Sequence, residues 1–183
     1  MPYLRCASCG VLSYTSLDAS GGHCPACGVP VPSTVATRPS GAEDSDRRLD
    51  ARLRMTRELL DTDLVLLTEI RDGQEIIMRA AGGWPELGPV DAVSWPLSQT
   101  FCQRMLDGRI GNYVRDAATD TRVSDLSLVS EGGVRSWIGV PIRVSETRLY
   151  VLCCLARASQ PSLGDREVRL LTGLAESVRA ELV

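Results

Sequence analysis

The sequence predicts an α+β domain with an antiparallel sheet, preceded by a small cysteine-rich module. Two apolar runs at 133–144 and 149–156, separated by Ser-Glu-Thr-Arg, have the pattern of two adjacent antiparallel strands at the centre of a sheet. Both runs are nearly continuous, so both faces of these strands should be covered. An amphipathic C-terminal segment and four N-terminal cysteines complete the prediction.

The four N-terminal cysteines form two C-x2-C pairs separated by fourteen residues, with a glycine after each pair. They are Cys6, Cys9, Cys24 and Cys27. Four thiolates satisfy tetrahedral Zn²⁺, so we expect a closed structural zinc site, and residues 1–32 resemble a zinc ribbon. Disulfides or a redox C-x-x-C are alternatives that the duplicated motif disfavours. His23 could replace one thiolate, although a position flanking the site is favoured.

The module and the segment after it carry little charge that would attract nucleic acid. Residues 1–32 contain one arginine and one aspartate, whereas nucleic-acid-binding ribbons normally show a basic footprint. Protein contacts are therefore the expected role of the module. Residues 33–45 are rich in Pro, Ser and Thr and predict an extended linker.

The next part of the chain predicts a helix followed by a β-hairpin. In residues 46–60, three leucines and a threonine recur on one helical face. Asp72-Gly73 is a dipeptide that favours tight hairpin turns, and it separates apolar runs at 63–71 and 75–81.

Another helix, a short strand and a polar connection should precede the central strand pair. Ser98 is a good N-cap and Gly108 a good residue to end a helix. Residues 110–114 predict a short strand, and 116–129 predict a polar, partly helical connection. Residues 164–182 have apolar positions at steps of three and four, which predicts the last helix.

Two gaps in the composition exclude several classes of catalyst. The chain has no lysine, which excludes a Walker-type phosphate loop and Schiff-base chemistry. Its single histidine, His23, lies among the N-terminal cysteines. The larger domain therefore lacks the imidazole of a Ser-His-Asp triad, a Cys-His dyad or a His-ligated catalytic zinc or haem.

Charge and hydropathy indicate a cytoplasmic protein. The net charge of −3 shows no basic excess that would suggest nucleic acid or an anionic membrane. The longest apolar run, 149–156, is far too short to span a bilayer. The N-terminus also lacks the apolar core of a signal peptide.

The order of these elements resembles a bacterial GAF domain over residues 46–183. The resemblance rests on W-P-L-S-x-T-F-C, R-D-A-x-x-D, G-V-R-S-W-I-G-V-P-I and L-x-V-L-C-x-L in this order. It implies an antiparallel sheet with the terminal helices on one face and a small-molecule pocket on the other. It also implies a sensing role, in which the domain binds a ligand, dimerises and signals to an output domain.

Five residues would bound such a pocket, and we take them as ligand-binding candidates: Trp95, Phe101, Cys102, Arg135 and Trp137. Core packing is the alternative for the three aromatic residues and for the cysteine, although a helix dipole could lower the pKa of Cys102. Arg135 could pair with Asp116 or Asp120, or it could hold a carboxylate or phosphate. Cys153 and Cys154 should point to opposite faces of a buried strand as small hydrophobes, away from any ligand.

Several activities of GAF domains fit this sequence poorly. Bilin-binding relatives usually attach the chromophore at a Cys followed by His, whereas Gln103 follows Cys102 here. The N-K-F-D-E-like signature of cyclic-nucleotide binders cannot match a chain without lysine. GAF-like methionine sulfoxide reductases use clustered cysteines, and residues 116–134 contain none.

We therefore expect a non-enzymatic sensory or regulatory module that binds a small molecule or a partner protein through its GAF domain. Its zinc ribbon would make protein contacts, and its first and last helices would form a homodimer. No output domain follows Val183, so a signal should pass to a separate partner protein. The alternatives are a cysteine-based redox enzyme using Cys102 and a nucleic-acid-associated regulator acting through the ribbon.

Overall fold

The computed structural model describes residues 3–5, 12–14, 22–23, 29–31, 40–84 and 93–182. The chain divides into two units, Met1–Glu43 and Asp44–Val183. Among the described residues, no helix is both long and apolar enough to cross a membrane.

The N-terminal unit contains two pairs of short antiparallel strands. β1 (Tyr3–Arg5) pairs with β2 (Leu12–Tyr14). β3 (Gly22–His23) pairs with β4 (Pro30–Val31). The four cysteines predicted to bind zinc lie outside the described residues, so the zinc ribbon stays a prediction.

The C-terminal unit is built on a six-stranded antiparallel sheet in the order β7-β6-β5-β10-β9-β8. The strands are β5 (Leu64–Arg71), β6 (Gln74–Gly82), β7 (Ser94–Pro96), β8 (Tyr113–Val114), β9 (Ser136–Arg143) and β10 (Leu149–Ala156). The predicted pair of β9 and β10 is confirmed, and β10 lies between β5 and β9. Asp72 and Gly73 both have positive φ, as the predicted tight turn requires.

In the described part of the chain, four helices accompany this sheet: α1 (Ser40–Leu59), α2 (Phe101–Leu106), α3 (Ser127–Ser130) and α4 (Asp165–Leu182). One apolar core lies between the sheet and the helices α1 and α4, and it contains the predicted stripe of α4. A second core lies on the other face, beneath α2 and the connecting segments. Cys153 belongs to this second core and Cys154 to the first, as strand alternation predicted.

Three boundaries differ from the sequence prediction. α1 begins at Ser40, six residues before the predicted start. The predicted linker at 33–45 therefore overlaps this helix. The predicted short strand at 110–114 is reduced to the two residues of β8.

The start of α2 also lies later than predicted. Thr100, not Ser98, caps the helix, because its Oγ1 accepts a hydrogen bond from the backbone N–H of Gln103 at 3.3 Å. Ser98 lies in a short 3₁₀ turn, Leu97–Gln99. Gly108 has a φ of 72° just after the helix, which confirms its predicted position at the helix end.

Candidate ligand cleft

A cleft opens on the sheet face that lies opposite α1 and α4. It is lined by Leu66, Glu75, Trp95, Thr100, Phe101, Cys102, Leu128, Trp137, Cys153 and Leu155. Its empty space is about 250 Å³, part of which is open to solvent. The volume comparable to that of a ligand cavity is only about 10 Å³, roughly the space of one water molecule, so side chains nearly fill the cleft in this structure and a larger ligand requires them to move.

Two stacked aromatic rings form one wall of the cleft. The ring centroids of Phe101 and Trp137 lie 5.6 Å apart, and their planes differ by 11°. A Cβ on Gly139 would lie 2.4 Å from the Trp137 ring, so only glycine lets the indole lie this close to β9. The wall therefore depends on a pair of residues from α2 and β9 and on a glycine beside them.

The polar floor of the cleft is Glu75, a carboxyl group on β6 with only 3% of its surface exposed. Its Oε1 accepts a hydrogen bond from the Cys102 thiol at 3.1 Å. Its Oε2 has no hydrogen-bond partner among the described residues. Burial raises the pKa of Glu75, and bonding to Cys102, Thr100 and Thr68 offsets only part of that rise.

The two thiols beside Glu75 belong to Cys102 and Cys153. The potential ligand atoms of all three residues lie within 4.8 Å of one another. The pKa of Cys102 is well above its ordinary value, first because of the hydrogen bond with Cys153 and then because of burial and the Glu75 charge. The possible lowering of this pKa by the helix dipole is therefore outweighed, and Cys102 is a protonated thiol rather than an activated nucleophile.

Arg135 makes an ion pair with Asp116, one of the two partners that the sequence suggested. Its Nε and Nη2 donate to the two carboxylate oxygens of Asp116 at 3.1 and 3.2 Å. Arg135 is not among the described residues that line the cleft. Its guanidinium is already held by Asp116 in this arrangement.

Four of the five candidates therefore meet at one cleft: Trp95, Phe101, Cys102 and Trp137. The sequence did not identify Glu75, and it predicted Cys153 to lie away from any ligand, whereas the structure places Cys153 in the lining of this cleft. Cys153 has the same parity on β10 as Val151 and Leu155, which share its core. Alternation along β10 could have grouped Cys153 with Val151 and Leu155. Because β10 is apolar on both faces, the sequence does not indicate which face lines the cleft.

Solved structures share this fold. A GAF domain/HD domain protein from Geobacter sulfurreducens is 17% identical, with a TM-score of 0.61 and coverage of 79% of this chain and 95% of that chain. The phycocyanobilin-bound GAF domain from a cyanobacterial phytochrome is 16% identical, with a TM-score of 0.57 and coverage of 79% and 95%. The GAF-B domain of DevS from Mycobacterium smegmatis is 17% identical, with a TM-score of 0.54 and coverage of 75% and 92%.

A search of curated proteins finds no significant match. Residues 44–182, which are more than half of the chain, match the GAF domain. The matched segment includes the complete six-stranded sheet, α2 and α4. This chain belongs to the GAF domain family.

Proposed function

We propose that this protein is a non-enzymatic sensory or regulatory module whose GAF domain binds a small molecule in the cleft. The observation that carries the proposal is the cleft itself, which combines an aromatic wall with a buried carboxyl group. A few convergent polar groups among apolar side chains are typical of small-molecule sites. The alternative within this class is a partner protein that inserts a side chain into the same cleft.

The ligand should be small and partly flat. The stacked rings of Phe101 and Trp137 offer a planar surface, and Glu75 offers a polar contact at the floor. A bilin, which the phytochrome neighbour binds, is far too large for a cleft that its own side chains nearly fill. Gln103 also stands where bilin-attaching relatives usually have His after the cysteine.

A cleft-filling substitution tests this proposal. A library of small metabolites is screened for compounds that raise the melting temperature of the full-length protein, since a ligand that binds only the native state stabilises it. Leu128→Trp adds bulk inside the cleft and should abolish the shifts, whereas Thr121→Trp adds the same side chain at an exposed turn and should preserve them. Shifts that survive Leu128→Trp would place the ligand elsewhere.

We do not assign an enzymatic reaction to the cleft. The redox alternative needs a reactive Cys102, yet that thiol is buried and its pKa is raised. Its neighbour Cys153 supplies a second thiol, but the large domain has no histidine to act as a base. Binding without chemistry is the function that these groups favour.

We also propose a homodimer through α1 and α4, which would use exposed apolar side chains rather than the apolar stripe of α4. The apolar stripe of α4, which suggested the dimer, packs on the domain's own sheet. Three other apolar side chains of these helices are exposed instead: Met55 at 53%, Leu59 at 54% and Leu170 at 40%. Size-exclusion chromatography with light scattering should show a dimer that Met55→Glu with Leu59→Glu dissociates. A wild-type monomer would contradict the dimer.

The N-terminal module is proposed to hold one structural zinc ion through four thiolates: those of Cys6, Cys9, Cys24 and Cys27. Each C-x2-C pair falls, along the chain, between two strands that pair with each other, which supports a ribbon-like module. A reducing, cytoplasmic location suits free thiolates. The neutral net charge of the N-terminal module favours a separate signalling partner protein over nucleic acid. Retention on DNA that falls steeply with salt would favour the nucleic-acid alternative.

A further inference from the structure

We propose that Glu75, Cys102 and Cys153 form a second metal site inside the GAF domain, which takes a zinc-like ion. The site is separate from the four N-terminal cysteines and lies at the floor of the cleft. It stands apart from the proposed sensing role, because the ion can be bound whether or not a small molecule enters the cleft.

The geometry brings three ligands together from three elements. Glu75 lies on β6, Cys102 on α2 and Cys153 on β10, and their ligand atoms all lie within 4.8 Å of one another. A tetrahedral zinc ion with bonds of about 2.0–2.3 Å holds its ligands roughly 3.3–3.8 Å apart. Side-chain movements of at most about 1–1.5 Å would therefore bring the widest pair into coordination range.

The unpaired oxygen of Glu75 points to a ligand at this position. Oε2 is buried and has no hydrogen-bond partner among the residues that the structure describes, although such atoms are costly to leave unsatisfied. A cation beside the carboxylate would satisfy that oxygen. The same ion would also use both thiols, so it accounts for the three ligand groups that meet at this position.

A disulfide between Cys102 and Cys153 explains less. It would need an external oxidant, and it would remove the hydrogen bond that the Cys102 thiol donates to Glu75. The disulfide would also leave Oε2 of the buried carboxyl group without a hydrogen-bond partner among the described residues. A metal ion needs no electron transfer, because coordination displaces the two thiol protons to solvent and leaves the oxidation states unchanged.

The ligand types select the ion. Two thiolates favour zinc or another soft or borderline ion, whereas calcium and magnesium prefer oxygen ligands alone. Three protein ligands also leave a fourth tetrahedral position, as in zinc sites that accept water or another small ligand. The cleft lined by the same three residues provides the space for that fourth ligand.

Adjacent cysteines give a matched experiment. Full-length wild type, Cys153→Ala and Cys154→Ala are loaded with excess Zn²⁺, dialysed and analysed for zinc per chain by elemental analysis and native mass spectrometry. Both cysteines are buried on β10, but only Cys153 faces Glu75. Cys153→Ala should carry one zinc fewer than wild type, and Cys154→Ala should carry the same number as wild type. The difference is independent of zinc held by the N-terminal cysteines.

A second variant keeps the test valid if Cys153→Ala fails to fold. Glu75→Gln preserves the shape of the side chain but removes the carboxylate, and circular dichroism checks that its fold is retained. One zinc should leave this variant at a chelator concentration that wild type withstands. The proposal is overturned if Glu75→Gln and every folded cysteine variant retain the wild-type zinc count under the same conditions.

Discussion

The Cys102 thiol donates a hydrogen bond to Oε1 of Glu75 at 3.1 Å, across 27 positions of sequence. This hydrogen bond links α2 to β6 and places two polar groups at the floor of a mainly apolar cleft. The sequence suggested either a packed or a reactive Cys102. In the structure this residue is buried and hydrogen-bonded, so it is a structural part of the cleft.

We predict that Cys102 is alkylated slowly in the native protein. Its thiol is buried, and its raised pKa leaves little thiolate at neutral pH. Iodoacetamide labelling followed by peptide mapping should show a rate on the order of tenfold or more below that in concentrated urea. Labelling of Cys102 at the rate of the unfolded chain would instead favour the redox-enzyme alternative.

Gly139→Ala should disturb the aromatic wall. The added methyl group would meet the Trp137 ring, and overpacking of this kind costs about 1–3 kcal/mol of stability. Urea unfolding should show the loss, and the tryptophan fluorescence should shift. Gly173→Ala is the control, because a Cβ there meets nothing within 4 Å and α4 should gain about 0.5–1 kcal/mol. Unchanged stability and fluorescence in Gly139→Ala would contradict the close approach.

Arg135 should matter little to stability or to ligand binding. Its ion pair with Asp116 is partly exposed, so a double-mutant cycle of the two alanine variants should give a coupling energy of about 1 kcal/mol or less. Ligand-induced thermal shifts should persist in Arg135→Ala, since this residue is outside the described lining of the cleft. Loss of those shifts in a stable variant would restore the ligand-anchor role that the sequence suggested.

A pH dependence should come from Glu181, which joins α4 to α1. Its carboxylate accepts hydrogen bonds from Arg48 and Ser45, and these contacts lower its pKa in the folded state. The stabilisation is therefore complete above the unfolded pKa of about 4.3 and is lost as the pH falls through the lower folded value.

The measurement is the melting temperature of wild type and Glu181→Gln at pH 7 and pH 3. Glu181→Gln should melt at a lower temperature than wild type at pH 7, and this difference in melting temperature should shrink at pH 3. Glu176→Gln is the control, because Glu176 makes only an exposed pair with Arg179 on its own helix among the contacts described. A deficit of equal size at both pH values would contradict the role of the Glu181 charge.

The strands of the central pair could be predicted because their apolar runs are long and rich in β-branched residues. β7 could not, because it has only three residues and ends at Pro96, a residue that strand patterns exclude except at sheet edges. Trp95 was chosen from the family resemblance alone. Its position opposite Glu75 follows from the pairing of β6 with this edge strand.

The inward direction of Glu75 could not be predicted from alternation. The register of β5 and β6 shifts between Leu67, which pairs with Arg79, and Thr68, which pairs with Ile77. This bulge moves Ile77 to the cleft side, although strict alternation from Ala81 would place it on the other face. Glu75 has the same parity as Ile77 and follows it into the cleft.

Native mass spectrometry of the purified protein gives the sharpest test of whether the GAF domain binds a small molecule. If the GAF domain is a small-molecule-binding module, the spectrum should show a dimer whose subunits carry a small organic ligand that is released on denaturation. The ligand should be absent from Leu128→Trp and present in Thr121→Trp. The opposite result would be a monomer that carries no organic molecule as purified and still carries none after the metabolites from the thermal-shift screen are added. That result would contradict small-molecule binding by the GAF domain.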